Sequence, residues 1–211
     1  KYYNKKNILI TGGTGTFGKN YLRFLLKNAN PGKIIIYSRD ELKQVQLLQS
    51  LKKNEISKVR FFIGDVRDRE SLHRAFRGGI DIVVHAAALK HVEICELNPT
   101  ESVKTNILGT QNVVDLSISN GVKHLVTVST DKAVNPSNTM GATKYLSEKI
   151  TLDSNSKSSV TSLCVRFGNV LSSRGSVIPS MVKGMKKNGK IWVSDGGVTR
   201  FAIPIDEAAS L

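Results

Sequence analysis

Asn7-Ile8-Leu9-Ile10-Thr11-Gly12-Gly13-Thr14-Gly15-Thr16-Phe17-Gly18 is the stretch that decides the fold. Asn7–Thr11 reads as a short apolar strand, and four glycines follow it within seven residues. Apolar residues then recur at Tyr21, Leu22, Leu25 and Leu26, the spacing of a helix face, up to the stop signal Asn30-Pro31-Gly32. Strand, glycine turn and helix in this order form the context of a dinucleotide fingerprint. The glycines allow a tight turn and let a pyrophosphate approach N–H groups at a helix N-terminus, where the dipole favours negative charge. Gly12, Thr14, Gly15, Thr16, Phe17 and Gly18 are therefore the expected contacts to that diphosphate.

Working outward, apolar strand-like runs alternate with helical patterns. Lys33–Tyr37, Val59–Ile63, Ile80–His85, His124–Val128 and Ser162–Phe167 read as strands. Asp40–Lys53, Arg69–Phe76 and Thr100–Asn120 read as helices, the last ended by Gly121. Beyond Phe167 the pattern is more irregular, with a helix-like Val177–Lys187 and apolar runs at Ile191–Val193 and Phe201–Ile205. The alternation predicts an α/β fold with a doubly wound parallel sheet, a Rossmann domain over residues 1–168. Residues 169–211 read as the start of a substrate-binding region. In such sheets ligands bind beyond the carboxyl ends of the strands.

Most candidate polar residues fall at those ends. Ser38-Arg39-Asp40 lies about 20 residues past the glycines, where the adenosine ribose is read. Arg39 suits a 2′-phosphate and Lys43 sits one helical turn beyond it, so NADP is favoured over NAD. The competing reading of Arg39-Asp40 is a solvated helix start. Asp65 either accepts the adenine amino group or caps the next helix, and Val66 stands beside it. Ala86, Ala87 and Ala88 leave room for a cofactor against the backbone, or for tight helix–sheet packing. His85 is given no role. Asn106, in the middle of a long helix, completes this set of expected cofactor contacts with Ser129 and Lys144. Ser129-Thr130-Asp131-Lys132 ends an apolar run, and an acid beside a base at the mouth of such a sheet suits proton transfer. The alternative is a surface turn closing a strand.

Lys and Arg number 31 against 17 Asp and Glu, a net charge of +14. No segment interleaves cations with aromatics, so the charge is read as suited to anionic nucleotides and not to nucleic acid. Cys95 and Cys164 have no metal-ligand spacing, which points to a reduced, cytoplasmic setting and no metal. No apolar run approaches the roughly 20 residues of a membrane span. The chain begins at Lys1 and ends in an apolar, helix-like run, so a piece of a longer protein is expected.

Several motifs taken together resemble the extended short-chain dehydrogenase/reductases. They resemble, more narrowly, the dehydratases that act at C4 and C6 of UDP-N-acetylglucosamine. These are Thr11–Gly18, Tyr37–Gln44, Gly64–Asp68, His85–His91, Lys104–Ile107, Ser129–Ala133, Arg166–Val170, Ser173–Val177 and Thr199–Phe201. The resemblance implies that NADP⁺ takes a hydride from C4, water leaves across C5 and C6, and the hydride returns to C6. Thr130 would hold the C4 hydroxyl, Asp131 protonate the departing hydroxyl, Lys132 remove the C5 proton and Lys144 hold the nicotinamide ribose. Lys90, Asn169, Arg174 and Arg200 would serve the UDP-sugar, against the alternative that the arginines are surface charge. A homo-oligomer is expected, and family members run on past Leu211. Where the superfamily usually has Tyr-x-x-x-Lys, this chain has Met140-Gly-Ala-Thr-Lys144. A thioether exchanges no proton, so the chemistry shifts onto Thr130, Asp131 and Lys132. Some members of the dehydratase group, soluble 5-epimerising forms and large membrane-attached forms among them, also carry Met there. Adjacent residues of an extended segment point to opposite sides, so Asp131 and Lys132 can share a substrate only if the chain bends after Thr130. A 4-epimerase or reductase, and a non-catalytic NADP-binding protein, are the rival expectations.

Overall fold

The computed structural model describes residues 2–171, 181–182, 184–186, 189, 191, 197 and 199–210. Six parallel strands form the central sheet: β1 (Asn7–Thr11), β2 (Lys33–Ser38), β3 (Val59–Ile63), β4 (Ile82–His85), β5 (His124–Thr130) and β6 (Thr161–Phe167). Their order is β3-β2-β1-β4-β5-β6, which places the reversal of direction between β1 and β4. A doubly wound sheet binds its ligand at that reversal.

Each strand alternates its side chains between two apolar layers, and both layers are covered by helices. Ile8, Ile10, Ile34, Ile36, Ile82 and Val84 face α1 (Thr16–Asn28) and α2 (Glu41–Gln49), meeting Tyr21, Leu22, Leu25 and Leu47. Leu9, Ile35, Tyr37, Val83 and Leu125 face α4 (Arg69–Phe76) and α7 (Gly109–Ser119) on the other side. The helix expected over Asp40–Lys53 ends at Gln49, and a separate single helical turn, α3 (Lys53–Ile56), lies between it and β3. Asp40 caps α2 by accepting from the Lys43 N–H at 2.9 Å. Asp68 caps α4 by accepting from the Ser71 N–H at 2.9 Å. The capping role considered for Asp65 therefore belongs to Asp68.

The segment between β4 and β5 departs most from expectation. It holds α5 (Val92–Leu97), α6 (Pro99–Ser102), a π-helical turn over Val103–Leu108, and then α7. The hydroxyls of Thr110 and Ser147 both donate to the Asn106 carbonyl, the Thr110 bond measuring 2.6 Å. Side chains inserted into the helical ladder in this way are a recognised cause of such widened turns. After β5, a 3₁₀ turn (Asp131–Ala133) leads to α8 (Thr139–Lys157). Asn169–Val170 (β7) and Ala202–Ile203 (β8) pair in parallel, and the helix Ile205–Ser210 returns to α1, with Ala209 joining its apolar layer. Of the expected helix Val177–Lys187, residues 181, 182 and 184–186 are helical. Its remaining residues, together with Arg174, Trp192 and Val193, lie outside the described residues. No helix among the described residues is long and apolar enough to cross a membrane.

Leu22 is fully buried under the glycine turn. Leu22→Ala is expected to lower the unfolding free energy in urea by about 2–5 kcal/mol, through lost transfer energy and a residual cavity.

Candidate functional site

The glycine turn brings three backbone segments together. Gly12 has φ +66°, and a Cβ on it would lie 2.7 Å from the Ala87 nitrogen and 2.8 Å from the Ala86 carbonyl. Only glycine permits both the left-handed conformation and that approach. Ala86 and Ala87 are thus the wall against which the turn is laid, and Gly15 N–H closes it by donating to Gly12 O at 2.8 Å. At the N-terminus of α1 no side chain caps the helix and no acid stands in the first turn. The positive end of the dipole is left for a ligand anion, so these residues fit a dinucleotide diphosphate.

Beside this wall runs a buried chain of hydrogen bonds. Thr11 Oγ1 lies 2.7 Å from His85 Nδ1, and His85 Nε2 lies 3.0 Å from Thr110 Oγ1. The single Thr110 proton goes to Asn106 O, so Nε2 carries the imidazole proton and Nδ1 accepts from Thr11. Burial, aided by the charge of Lys144, pushes the His85 pKa down to about 3. His85 thus links β1 and α7 through its two ring nitrogens. Asn106 is a brace of the same kind. Its side chain accepts from Leu89 N at 2.8 Å and donates to Leu89 O and Thr143 Oγ1, each at 3.0 Å. Both donors of its amide are used, which corrects the expectation of a cofactor contact from them. Val66 is likewise turned into the core against Gly109.

At the end of β5 the bend that the acid–base reading needs is present. The 3₁₀ turn starts at Asp131, and Thr130 Oγ1 accepts from Lys132 N at 3.4 Å. Asp131 Oδ1 accepts from the Thr130 hydroxyl at 2.8 Å and from Lys132 Nζ at 3.1 Å. Burial pushes the Asp131 carboxyl up, but the Thr130 hydroxyl and the Lys132 ammonium outweigh it and hold the pKa below the usual carboxylate value. The first turn of α8 lies against this turn. Gly141 sits so close that a Cβ would be 2.5 Å from Lys132 O. Asn138 caps α8 through Gly141 N at 2.8 Å, and Glu96 of α5 accepts from Thr139 N at 2.5 Å. Met140, on that first turn, is buried.

Lys144 is buried one turn further along α8, and its Nζ donates to Val128 O at 2.6 Å. Burial pushes its pKa down to about 8, with Cys164 and Glu148 opposing. Glu148, which sequence reading did not single out, forms a two-point pair with Arg166 at 2.9 and 2.6 Å. Its carboxyl is raised by burial but held low overall by Arg166, Ser129 and Lys144. The signal was its position four residues after Lys144, on the same helix face.

At the adenosine end, Ser38 is buried and its hydroxyl accepts from Gln44 at 3.0 Å. Arg39 stays half-exposed, 3.4 Å from Asp65. Lys43 pairs with Asp40. Both oxygens of Asp65 are engaged by Arg67, at 3.0 Å from its N–H and 2.9 and 2.7 Å from its guanidinium. The β7–β8 pair brings Asn169 into register with Ala202, two residues from Arg200, whose guanidinium donates to Thr199 O at 3.0 Å. Lys90 follows Leu89 at the surface. Among the described residues no group of acids, histidines and cysteines could hold a metal ion.

A family model described as "Polysaccharide biosynthesis protein" matches residues 8–211. The chain belongs to the polysaccharide biosynthesis protein family. Its sheet order is that of a Rossmann fold, and the same fold is seen in a UDP-glucose 4-epimerase of Thermotoga maritima, with a TM-score of 0.82 at 23% identity. Within the family it is 49% identical over 209 residues to a UDP-N-acetylglucosamine 4,6-dehydratase (inverting) of Campylobacter jejuni, covering 97% of this chain and 61% of that protein. It is 42% identical over 212 residues to a UDP-glucose 4-epimerase of Rickettsia akari, covering 98% of this chain and 61% of the other. The crystal structure of Pen from Bacillus thuringiensis superposes with a TM-score of 0.94 at 40% identity, covering 100% of this chain and 65% of that one. The chain thus spans 61% of the length of these two curated relatives.

Lys144 makes the site's electrostatics measurable. Its pKa falls from 10.5 unfolded to about 8 folded, so the unfolded chain binds more protons in that window and stability rises with pH. Cys164, raised by burial from 9.0 to about 11, acts in the opposite direction above pH 9. Urea unfolding of the wild type is expected to strengthen by about 1 kcal/mol between pH 8 and 9, and Lys144→Met to abolish that rise. Equal slopes in the two proteins would contradict the assignment.

Proposed function

We propose that this family member is an NADP-dependent nucleotide-sugar 4,6-dehydratase, acting on UDP-N-acetylglucosamine to give a 4-keto-6-deoxy sugar. The observation that carries the reading is the 3₁₀ turn, which joins the Asp131 carboxylate and the Lys132 ammonium at 3.1 Å on one side of the strand end. The similarity to the Campylobacter jejuni dehydratase supports the substrate.

Bound nicotinamide supplies a reversible hydride acceptor for the sugar. The chain's own residues do the rest. Gly12, Gly15 and the N-terminus of α1 hold the diphosphate, with Thr14, Thr16, Phe17 and Gly18 completing the turn. Arg39 takes the 2′-phosphate, because Asp40, the first acid after β2, is already committed to capping α2. Ala88 and Ser129 belong to the same cleft. Lys144, charged at neutral pH, holds the nicotinamide ribose. Thr130 holds the C4 hydroxyl.

Elimination needs a neutral amine and a protonated carboxyl, the reverse of the resting pair. One proton shift from Lys132 Nζ to Asp131 Oδ1 along their hydrogen bond supplies both. The Thr130 hydroxyl now stabilises the carboxylate at 2.8 Å. When that hydroxyl turns to the sugar, Asp131 loses a donor that favours its charged form, and its carboxyl takes up a proton more readily. Lys132 then takes the C5 proton and Asp131 protonates the C6 oxygen, which leaves as water. Met140 exchanges no proton and serves as packing under the turn. Asn169 and Arg200, with Arg174 and Lys90, are assigned to the UDP-sugar.

A 4-epimerase is the second reading, favoured by the Rickettsia akari relative, and it requires no C5 base. Lys132→Ala separates the two. With UDP-N-acetylglucosamine as substrate, the variant is expected to form 4-keto-6-deoxy product at least about 100-fold more slowly, with NADP affinity unchanged. Product formation near the wild-type rate would overturn the role of Lys132. A C4 epimer as wild-type product would select the second reading.

A further inference from the structure

The site above occupies the carboxyl edge of the sheet. At the opposite edge a cavity of about 60 Å³ is walled by Asn7, Lys33, Arg60, Phe62, Arg77 and the Gly78-Gly79 turn. Lys33 and Ile35 are two apart on β2, Arg60 and Phe62 two apart on β3, and Ile35 is in register with Arg60. All four therefore share the face covered by α4. Arg77 follows the last residue of α4, which brings a third cation to the same rim.

We propose that this cavity is an anion site that binds a free phosphate or pyrophosphate ion, separate from the dinucleotide cradle. The first reason is charge. No carboxylate lines the cavity, and among the described residues none of its three cations has an ion pair. Their neighbours do have partners: Lys6 and Lys123 both approach Asp81 at 3.6 Å, and Lys58 donates to Asn30 at 2.6 Å. Three unpaired like charges around one hollow repel each other and draw in a counter-ion. The partial negative charge of the last α4 carbonyls is small beside three full cationic charges.

The second reason is shape. Gly78 and Gly79 have φ +105° and +76°, and a Cβ on either would meet nothing within 4 Å. Their role is conformational: the turn bends so that Gly79 O accepts from Asn7 Nδ2 at 2.8 Å, which leaves the mouth open. The hollow is too small for a nucleoside and suits a compact oxyanion, with Phe62 and Ile35 as an apolar floor.

An ¹H–¹⁵N NMR titration with sodium phosphate, against sodium chloride at matched ionic strength, tests the site without reference to the enzymatic reading. Saturable shifts are expected at the amides of Lys33, Arg60, Gly78 and Gly79, present with phosphate and absent with chloride. In the double variant Arg60→Gln, Arg77→Gln the midpoint is expected to weaken by about tenfold. Both side chains are exposed, so the rest of the spectrum should be retained. Equal shifts with chloride, shifts confined to residues 12–17, or an unchanged midpoint in the variant would overturn the proposal.

Discussion

The carboxyl edge of this sheet depends on one buried imidazole. His85 stands at the tip of β4 with a threonine hydroxyl on each side, Thr11 from β1 and Thr110 from α7. Through Thr110 the chain of bonds reaches the carbonyl of Asn106, which also accepts from Ser147 of α8. Four elements that are far apart in sequence are thereby fixed to one another by neutral hydrogen bonds in a dry interior. The low pKa of His85 is a consequence, since a charged ring would lose solvation and face the Lys144 ammonium. The glycine turn on one side and the Lys144 helix on the other are held at a set separation by this link.

On that frame the polar residues divide into two kinds. Some are spent on construction: Asn106, Asp40, Asp68 and Glu96 each satisfy backbone groups or pin a helix start, and Ser38 holds the Gln44 amide. Others keep chemistry available. Asp131 and Lys132 are about one-third exposed, hydrogen-bonded to each other, and placed by a turn that Gly141 allows α8 to approach closely. Lys144 is buried against Val128 O, its charged form disfavoured by burial and favoured by the Glu148 carboxylate.

Much of this was readable beforehand where the signal is local. β1, β3 and α4 have the expected limits because each is a compact apolar or amphipathic run with a clear stop. The need for a bend after Thr130 followed from strand geometry alone. What escaped was set by partners distant in sequence. The π-turn inside the long helix goes with two hydroxyls on the Asn106 carbonyl, and that of Ser147 comes from 41 residues away. The Glu148–Arg166 pair joins α8 to β6 across 18 residues. α5 is a six-residue helix without a side-chain cap, so no start signal marked it.

The central claim is that one electron pair leaves C4 of the sugar and returns to C6 of the same molecule while Asp131 and Lys132 move protons. UDP-N-acetylglucosamine carrying deuterium at C4, mixed with unlabelled substrate, tests this most directly. The account predicts product molecules with the deuterium at C6 and no exchange of label between molecules, read by mass spectrometry and NMR. Deuterium remaining at C4, or scattered among initially unlabelled molecules, would contradict it.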